Sequence, residues 1–265
     1  MHLTDITVFP VKSLAGIQLN ESQVTPFGLK NDRMKMLVDN QGVFISQRKF
    51  PQMALIKTQI LDQQLRLTAP AMAPLTIGHE HFTDQSLAVD VWGDTCFGFV
   101  ADKQINRWLS QFLDLPVRLV SYDASQPRAT DPKYALRDDQ VSFADGFPLL
   151  VISQASLADL NSRLETPVPM SAFRPNIVID GCDAYAEDQW QQIRVGEVVF
   201  DAVKPCSRCV LTTVDPQTGI RRGDGQPLKM LSQYRRAPGG VMFGMNLIPR
   251  SPGTIRLNDP VECVK

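Results

Sequence analysis

Histidine and net charge are both scarce in this sequence. Only three histidines occur (His2, His79 and His81), and none has the spacing of metal ligands or stands beside a nucleophile. A histidine-based catalytic triad and a zinc hydrolase are therefore poorly supported. The formal net charge of −1 argues against a general nucleic-acid-binding protein, whose phosphate contacts need a basic face. Local basic pockets remain compatible with this balance.

Long hydrophobic runs are also missing. No apolar stretch approaches the roughly 20 residues that a membrane-spanning helix needs. The start, MHLTDITVFP, has neither the basic nor the apolar region of a signal peptide, so we expect a cytoplasmic protein with no membrane partner and no nucleic-acid partner. Five cysteines, an odd number in 265 residues, do not resemble a disulfide framework and predict reduced thiols.

The most informative stretch is KPCSRCVLTTVDPQTG, residues 204–219. Cys206 and Cys209 enclose a serine and an arginine, and the β-branched residues that follow predict a strand that starts at this motif. The Asp-Pro pair at 215–216 would turn the chain. A thiolate held beside a cation is suited to metal binding or redox chemistry, because only the ionised thiol ligates or attacks.

Several kinds of site compete for this cysteine pair. A structural zinc site needs four ligands, and the remaining cysteines (Cys96, Cys182 and Cys263) are scattered. An iron–sulfur cluster meets the same shortage. A thioredoxin-like dithiol would begin a helix, which the β-branched residues disfavour. A single thiolate that holds the metal of a prebuilt cofactor fits best, with basic and polar residues elsewhere binding its phosphate and heterocycle.

Short β-rich segments with polar breaks predict a mainly β protein with a few helices. The spacing of these segments is typical of an antiparallel barrel. A helix is predicted at 103–113, where four apolar residues share one face, another after Ser153 as N-cap, and a short one at 228–235. We expect the last segments, 254–257 and 261–264, to pair with each other. Further predicted strands span 3–9, 55–60, 64–68, 87–92, 96–100, 117–121, 147–152, 192–195, 198–203 and 241–248.

Two N-terminal segments offer groups for an anion. In VKSLAG, Lys12 and Ser13 directly follow a predicted strand, although a solvated hairpin loop is the simpler interpretation. Arg33 and Arg48 bracket a hairpin predicted from 34–38 and 43–46. They would join Lys12 around a phosphate if this hairpin folds back, whereas isolated arginines usually stay at the surface.

In AFRPNIVIDG, Arg174 and Asn176 flank a proline inside an apolar segment. Proline cannot donate to a sheet ladder, so this position predicts an edge strand or a bulge. A charge and an amide projecting there need partners, and a structural salt bridge and a ligand are equally compatible. In the irregular segment 125–139, Tyr134 and Arg137 either border a site or lie on the surface.

Long motifs run nearly from end to end of the chain: VFPVKSLAG, NDRMKMLVD, ISQASLADLNSRLE, AFRPNIVIDG, CSRCVLTTVDPQTG, FGMNLI and PGTIRLNDPV. With them the sequence resembles the MOSC superfamily, in the branch of the mitochondrial amidoxime reducing component and the bacterial YcbX-type proteins. The resemblance implies an N-terminal MOSC β-barrel domain at 1–118 and a MOSC β-barrel domain at 119–265, with the molybdenum cofactor (Mo-molybdopterin) between them. The superfamily is also associated with pyridoxal phosphate binding.

The same resemblance assigns roles to residues of this chain. Cys209 matches the cysteine that ligates molybdenum. Where the mitochondrial proteins have a hydroxyl pair, this chain has Gly146 and Phe147, and Asn246 stands in place of a tyrosine; both departures concern substrate preference. The residues that match cofactor-binding positions are Lys12, Ser13, Arg33, Arg174, Asn176, Ser207, Arg208 and Asn246.

The implied activity is molybdenum-dependent reduction of N-hydroxylated compounds, such as amidoximes, hydroxylamines and N-hydroxylated base analogues. Asp215 is a candidate proton donor near the metal, although an aspartate before a proline also forms turns. Bacterial relatives carry a C-terminal [2Fe–2S] segment, but no cysteine array follows the closing strands here. We therefore expect no iron–sulfur cluster in this chain and an external electron donor, either a flavoprotein reductase or a [2Fe–2S] module.

Two alternatives stay open. A sulfur-carrier or cofactor-delivery protein would hold a persulfide or pass on the cofactor at Cys209 without turnover, and an inactive binding module would do neither. Cys206 either packs as a small hydrophobic side chain beneath the metal loop or carries a persulfide. Stoichiometric molybdenum with turnover favours the enzyme, and labile sulfur without molybdenum favours the carrier.

Overall fold

The computed structural model describes residues 1–136 and 138–264, so Arg137 and its predicted place beside a site lie outside the described residues. Strands dominate, which confirms the predicted mainly β fold. In chain order the strands are β1 (His2–Val8), β2 (Ile17–Leu19), β3 (Glu21–Thr25), β4 (Gly28–Leu29), β5 (Lys35–Val38), β6 (Lys57–Leu61), β7 (Gln64–Thr68), β8 (Leu75–Ile77), β9 (Phe82–Val91), β10 (Asp94–Ala101), β11 (Arg118–Tyr122), β12 (Arg128–Ala129), β13 (Gln140–Val141), β14 (Leu149–Ser153), β15 (Ile177–Asp180), β16 (Gln192–Val195), β17 (Val198–Arg208), β18 (Arg236–Ala237), β19 (Gly240–Pro249), β20 (Gly253–Arg256) and β21 (Val261–Cys263).

The described residues include three α-helices: α1 (Lys103–Leu113), α2 (Gln154–Ser162) and α3 (Leu228–Tyr234). The bounds of α1 are the predicted ones, and the Asp102 carboxylate caps it by accepting from two backbone N–H groups of the first turn. Ser153 caps α2, as predicted, through the N–H of Ser156. None of the helices in the described ranges has the length and apolar character needed to cross a membrane.

The first half of the chain builds two small antiparallel sheets, β5-β11-β10-β9 and β6-β7-β8. Its core contains Ile105 and Leu109 from the apolar face of α1, packed with Leu67 of β7 and Leu119 of β11. Burial of these side chains fixes α1 across the sheets, since each fully buried leucine or isoleucine contributes about 1.5–3 kcal/mol.

The largest sheet has nine strands, in the order β2-β1-β15-β14-β19-β17-β16-β21, with β18 added to β19. Strand β1 also reaches the opposite end of this path. The N–H of Leu3 donates to the carbonyl of Asp259 at 3.0 Å, and the N–H of Val261 donates to the carbonyl of Met1 at 2.9 Å. These bonds bring the two ends of the sheet together, as closure of a curved sheet requires.

The two halves of the chain exchange strands. The N-terminal β1 and β2 belong to the large sheet of the second half, and β20, close to the C-terminus, pairs with β3. Strand β11 begins at Arg118 and belongs to the first half's sheet, so the predicted domain boundary between 118 and 119 falls at its start and stays a prediction. This exchange brings loops from both halves to one cavity.

The strand predicted after Cys209 is wrong. Strand β17 leads into the cysteine motif and ends just before Cys209, and Val210–Thr213 form a short 3₁₀ helix. The hydroxyls of Thr212 and Thr213 donate to the backbone carbonyls three residues earlier, at 2.9 and 2.7 Å. These local bonds compete with a strand ladder, and they leave Cys209 at the turn between a strand and a helical turn.

Three smaller expectations also need correction. Pro175 lies before β15, and β15 is an interior strand between β1 and β14, so this position is neither an edge nor a bulge within it. The closing segments do not pair with each other, because β20 joins β3 and β21 joins β16. The predicted strand at 43–46 contributes only isolated bridges. For β20 and β21 the partner strand is distant in the sequence, so the local pattern does not reveal it.

Candidate functional site

One cavity between the two halves gathers nearly all of the predicted site residues. Asp215 lies outside its lining: the carboxylate accepts from the backbone N–H groups of Gln217 and Thr218, at 2.8 and 3.0 Å, and so forms a turn. The proposed proton donation by Asp215 stays a prediction without a contact here. The predicted residues that line the cavity are Lys12, Ser13, Arg33, Arg174, Asn176, Ser207, Arg208, Cys209 and Asn246.

Arg33 links the two halves of the chain. Its guanidinium donates to the carboxylate of Asp32 at 2.6 Å, to Oδ1 of Asn176 at 3.0 Å and to the backbone carbonyl of Arg174 at 3.2 Å. The same Asn176 oxygen accepts from the N–H of Leu150 at 3.1 Å. Asn176 is fully buried, so its amide holds the guanidinium of Arg33 at the cavity wall.

The aromatic ring of Phe9 supports two cations. The Cζ atoms of Arg33 and Arg174 lie 4.5 and 4.0 Å from the ring centroid. Attraction to the ring face offsets part of the cost of burying these charges. Arg174 also donates to the backbone carbonyl of Leu14 at 2.7 Å, whereas its buried Nη2 has no hydrogen-bond partner among the described residues.

Four of the described lining residues other than glycine have a left-handed backbone. The φ angles of Ser13, Arg33, Trp92 and Arg174 are 68°, 49°, 59° and 55°. A side chain in this region costs roughly 1–3 kcal/mol, and such strain concentrates at functional sites. Surrounding contacts therefore maintain a local geometry that the chain would not adopt by itself.

Lys12 is buried at one end of the cavity. Its ammonium donates to the backbone carbonyl of Phe143 at 2.6 Å and to the carboxylate of Asp145. The indole N–H of Trp92 also donates to Asp145, at 2.9 Å. Arg128 fixes the loop that carries Asp145, because its guanidinium donates to the carbonyls of Ala144 and Asp145, at 2.8 and 3.1 Å.

The cavity concentrates positive charge. Burial lowers the pKa of Lys12 to about 8; Asp145 opposes this effect, and the charges of Arg33 and Arg128 reinforce it. Burial likewise lowers the pKa of Arg174, with Arg33 adding to the effect. Desolvation disfavours the Asp145 carboxylate, but Lys12 outweighs it and holds the pKa of Asp145 below its usual range. Because these cations repel one another, an anion that enters the cavity is attracted to them.

Both cysteines of the motif line the cavity and are partly exposed. Nη1 of Arg208 lies 3.0 Å from Sγ of Cys206, and Nη2 donates to the carbonyl of Phe173. The cation predicted beside a thiolate thus contacts Cys206. Residues 1–136 and 138–264 contain no group of three or more His, Cys, Asp or Glu that is arranged to hold a metal. Cys209 lines the cavity, and its ligation of a metal stays a prediction.

The departures from the family pattern also lie on the cavity wall. Gly146 and Phe147 line it, and Asn246 donates through Nδ2 to the carbonyl of Lys204 at 3.0 Å. The ring of Phe147 packs edge-on against Tyr134, with 6.0 Å between centroids. Tyr134 thus contacts a lining residue without lining the cavity itself, and its place beside a site stays a prediction.

Four residues around the cavity carry roles that the sequence did not single out, or named only conditionally. Asp145 pairs with Lys12, more than a hundred residues away, and Arg128 donates to a backbone carbonyl. Neither contact leaves a local pattern in the sequence. Trp92 is 47% exposed at the mouth. Arg48, named only as a conditional phosphate ligand, lies 4.1 Å from the Trp92 ring centroid and lines the same cavity.

The side chains fit the molybdenum cofactor that the sequence resemblance implies. Buried guanidinium nitrogens of Arg48, Arg174 and Arg208 have no acceptor in the described part of the chain, whereas buried polar groups nearly always have one. With Lys12 they offer charged donors for a phosphate and a heterocycle. Cys209 offers one soft ligand of the kind that a metal held by further sulfurs accepts.

Comparison with known proteins agrees with this organisation. Residues 1–116 match the MOSC N-terminal beta barrel domain, and residues 138–262 match the MOSC domain. Mitochondrial amidoxime-reducing component 1 is 34% identical in Homo sapiens over 98% of this chain and 82% of that protein, and 36% identical in Mus musculus over 98% and 81%. Mitochondrial amidoxime reducing component 2 of Rattus norvegicus is 34% identical over 98% and 82%. The chain belongs to the MOSC family, in the group of the mitochondrial amidoxime-reducing components.

Proposed function

We propose that this protein is a molybdenum-cofactor-dependent oxidoreductase that reduces N-hydroxylated compounds with electrons from a separate protein. The observation that carries the proposal is the convergence of Cys209 and a cluster of buried cations on one cavity. The names of the relatives, amidoxime-reducing components, support the same reaction class.

Each part of the cavity has a proposed task. Lys12, Ser13 and Arg33 would hold the phosphate of the cofactor, and Cys209 would ligate its metal. When bound, the cofactor would supply two-electron chemistry coupled to transfer of an oxygen atom. The residues proposed to hold the pterin are Arg174, Asn176, Ser207, Arg208 and Asn246.

The protein's own groups orient and hold charge during the proposed reaction. Overall, R–NH–OH, two electrons and two protons give R–NH₂ and water as the N–O bond breaks. Asp145 remains a carboxylate at neutral pH, because its pKa lies below its usual range. It therefore orients Lys12 and is not the proton donor. Trp92 and Phe147 line the same cavity and would present aromatic surface beside the proposed cofactor and substrate.

The proposed function is tested by turnover of benzamidoxime. The protein is produced in a cofactor-competent host supplied with molybdate, and reduced methyl viologen provides the electrons. We expect wild-type protein to form benzamidine and Cys209→Ala to lose at least about a hundredfold in rate. Cys263→Ala, at an exposed cysteine of β21, is the matched control and keeps full activity. Undiminished turnover by Cys209→Ala would refute the proposal.

The sulfur-carrier alternative has one contact in its favour. Arg208 lies within hydrogen-bond distance of Cys206 Sγ, and a guanidinium stabilises an anionic sulfur such as a persulfide. Cyanolysis, which measures labile sulfur, together with metal analysis of the protein from the same host distinguishes the two functions. One labile sulfur per chain without molybdenum would favour the carrier, and molybdenum without labile sulfur favours the reductase.

A further inference from the structure

A second cavity lies between the two halves of the chain. It encloses about 380 Å³, compared with about 120 Å³ for the cavity that contains Cys209, and small-molecule sites typically enclose about 300–1,000 Å³. Its lining includes Phe9 and Gln47 from the first half and Ser171 from the second. Arg174 is the one described residue that lines both cavities. The second cavity is therefore separate from the candidate site but shares a wall with it.

Buried apolar side chains form the floor of the second cavity. Phe9, Ala54 and Val178 line it and are each almost completely buried. Gly16 also lines it, and a Cβ atom there would lie 2.6 Å from Cε1 of Phe9 and 2.7 Å from Cγ2 of Thr7. The glycine therefore lets the loop after β1 pack directly on the Phe9 ring, and this contact fixes the floor.

Gln47 is a buried polar residue in the wall of the second cavity. It is 3% exposed, and its Oε1 atom has no hydrogen-bond partner among the residues that the structure describes. Buried polar groups nearly always have such a partner, so a donor supplied from outside the chain would complete this one. A glutamine amide carries an oxygen acceptor next to an NH₂ donor. It therefore pairs best with a molecule that offers a donor next to an acceptor.

The charges around the second cavity balance. Asp5 and Lys57 line it, and neither forms an ion pair within the described part of the chain. Arg174 adds a second cation, whereas Asp215, the neighbour of the lining residue Pro216, adds a second carboxylate. Because both signs are present in equal number, the summed field attracts neither an anion nor a cation strongly. Hydrogen-bonding groups, and not net charge, therefore decide what the cavity selects.

Uncharged polar side chains surround the opening of the second cavity. Gln18, Ser171 and Gln217 are exposed and line it. Each amide or hydroxyl both donates and accepts hydrogen bonds. Such a wall above an apolar floor is the arrangement of a site for a small molecule that is neutral and has a polar edge.

We propose that the second cavity binds a small neutral molecule whose edge carries a hydrogen-bond donor next to an acceptor, as in a nucleobase or a primary amide. The edge pairs with the amide of Gln47, and the apolar body of the molecule lies on the floor that includes Phe9 and Val178. This site is additional to the proposed cofactor site, and it does not depend on the bound cofactor.

Titration calorimetry on the full chain tests this site with three probes. Adenine represents the nucleobase edge and benzamide the primary amide, whereas benzoate has the shape of benzamide but carries a charge and no donor. The variants are Gln47→Leu, which removes the amide, and Ser171→Trp, which fills the opening from an exposed position. Gln64→Leu, at an exposed position of β7 outside both cavity linings, is the matched control. Urea denaturation verifies that each variant is folded.

We expect adenine, benzamide or both to bind saturably to the wild type and to Gln64→Leu, and benzoate to bind at least about tenfold more weakly than the better neutral probe. Gln47→Leu should raise the dissociation constant of that probe about tenfold, and Ser171→Trp should abolish its binding. Tighter binding of adenine identifies a nucleobase site, and tighter binding of benzamide identifies a primary-amide site. No saturable binding of either neutral probe, tighter binding of benzoate, or an unchanged dissociation constant in either folded variant would overturn the proposal.

Discussion

Lys12 donates a hydrogen bond to Asp145, 133 residues further along the chain. The ammonium comes from the loop after the first strand of the chain, and the carboxylate comes from the loop before β14. The pair therefore connects the two halves at the cavity. Because burial lowers the pKa of Lys12 to about 8, the charge of this ammonium is sensitive to mildly alkaline pH.

The first prediction concerns anion binding by the cofactor-free protein. We expect the affinity for sulfate, whose charge is constant in this range, to fall about tenfold between pH 7 and pH 9.5 as Lys12 loses its proton. Lys12→Arg stays charged and removes the fall, whereas Lys12→Met binds weakly at every pH. Titration calorimetry measures this, and an unchanged pH profile in Lys12→Met would contradict it.

The same lowered pKa has a consequence for stability. The folded protein releases the Lys12 proton at about pH 8, whereas the unfolded chain keeps it up to the ordinary value of 10.5. Between these values the unfolded state binds more protons, so the contribution of Lys12 to stability rises with pH. Chemical denaturation at pH 8 and pH 10 should show this rise in the wild type relative to Lys12→Met.

The second prediction concerns Asn176, whose side-chain amide accepts hydrogen bonds from Arg33 and Leu150 and donates one to the carbonyl of Thr7. Asn176→Ala leaves buried donors without acceptors and should lower the free energy of unfolding by about 3 kcal/mol. Asn246→Ala is the comparison, since it removes one bond to the Lys204 carbonyl and should cost about 1 kcal/mol. Urea denaturation measures both, and equal losses would contradict the linking role of Asn176.

The third prediction concerns the close packing of β19 against β14. Gly244 has a φ angle of 82°, and a Cβ atom there would lie 2.7 Å from the Val151 carbonyl oxygen and from Ile152 Cγ1. Gly244→Ala should therefore cost about 3 kcal/mol of stability. A Cβ atom at Gly223 meets nothing within 4 Å, so Gly223→Ala should stay within about 0.5 kcal/mol of wild type. A similar melting temperature for the two variants would contradict this packing.

Local patterns predicted much of the fold. The apolar face of α1 repeats with helical spacing, and Asp102 and Ser153 carry the side chains that cap helices, so two of the helices could be placed closely. The valine and threonine residues after Cys209 misled the strand prediction. The hydroxyls of Thr212 and Thr213 bond back to the local backbone, and only the surrounding structure selects that option.

The candidate site was predictable where a motif carried it. Lys12, Arg33, Arg174 and Cys209 stand in distinctive stretches, and all four line the cavity. Asp145 could not be found in this way, because its role depends on a partner 133 residues away, and no periodicity records such a contact. Arg128 positions a loop through contacts with backbone carbonyls, and such contacts likewise leave no pattern in a sequence.

The central claim is that Cys209 holds the metal of a molybdenum cofactor in this cavity. Its most direct test is the molybdenum content per chain of protein purified from a molybdate-fed, cofactor-competent host. We expect close to one metal per chain in the wild type and in Cys263→Ala, and less than about a tenth of that in Cys209→Ala. Equal molybdenum in Cys209→Ala and the wild type would contradict the claim.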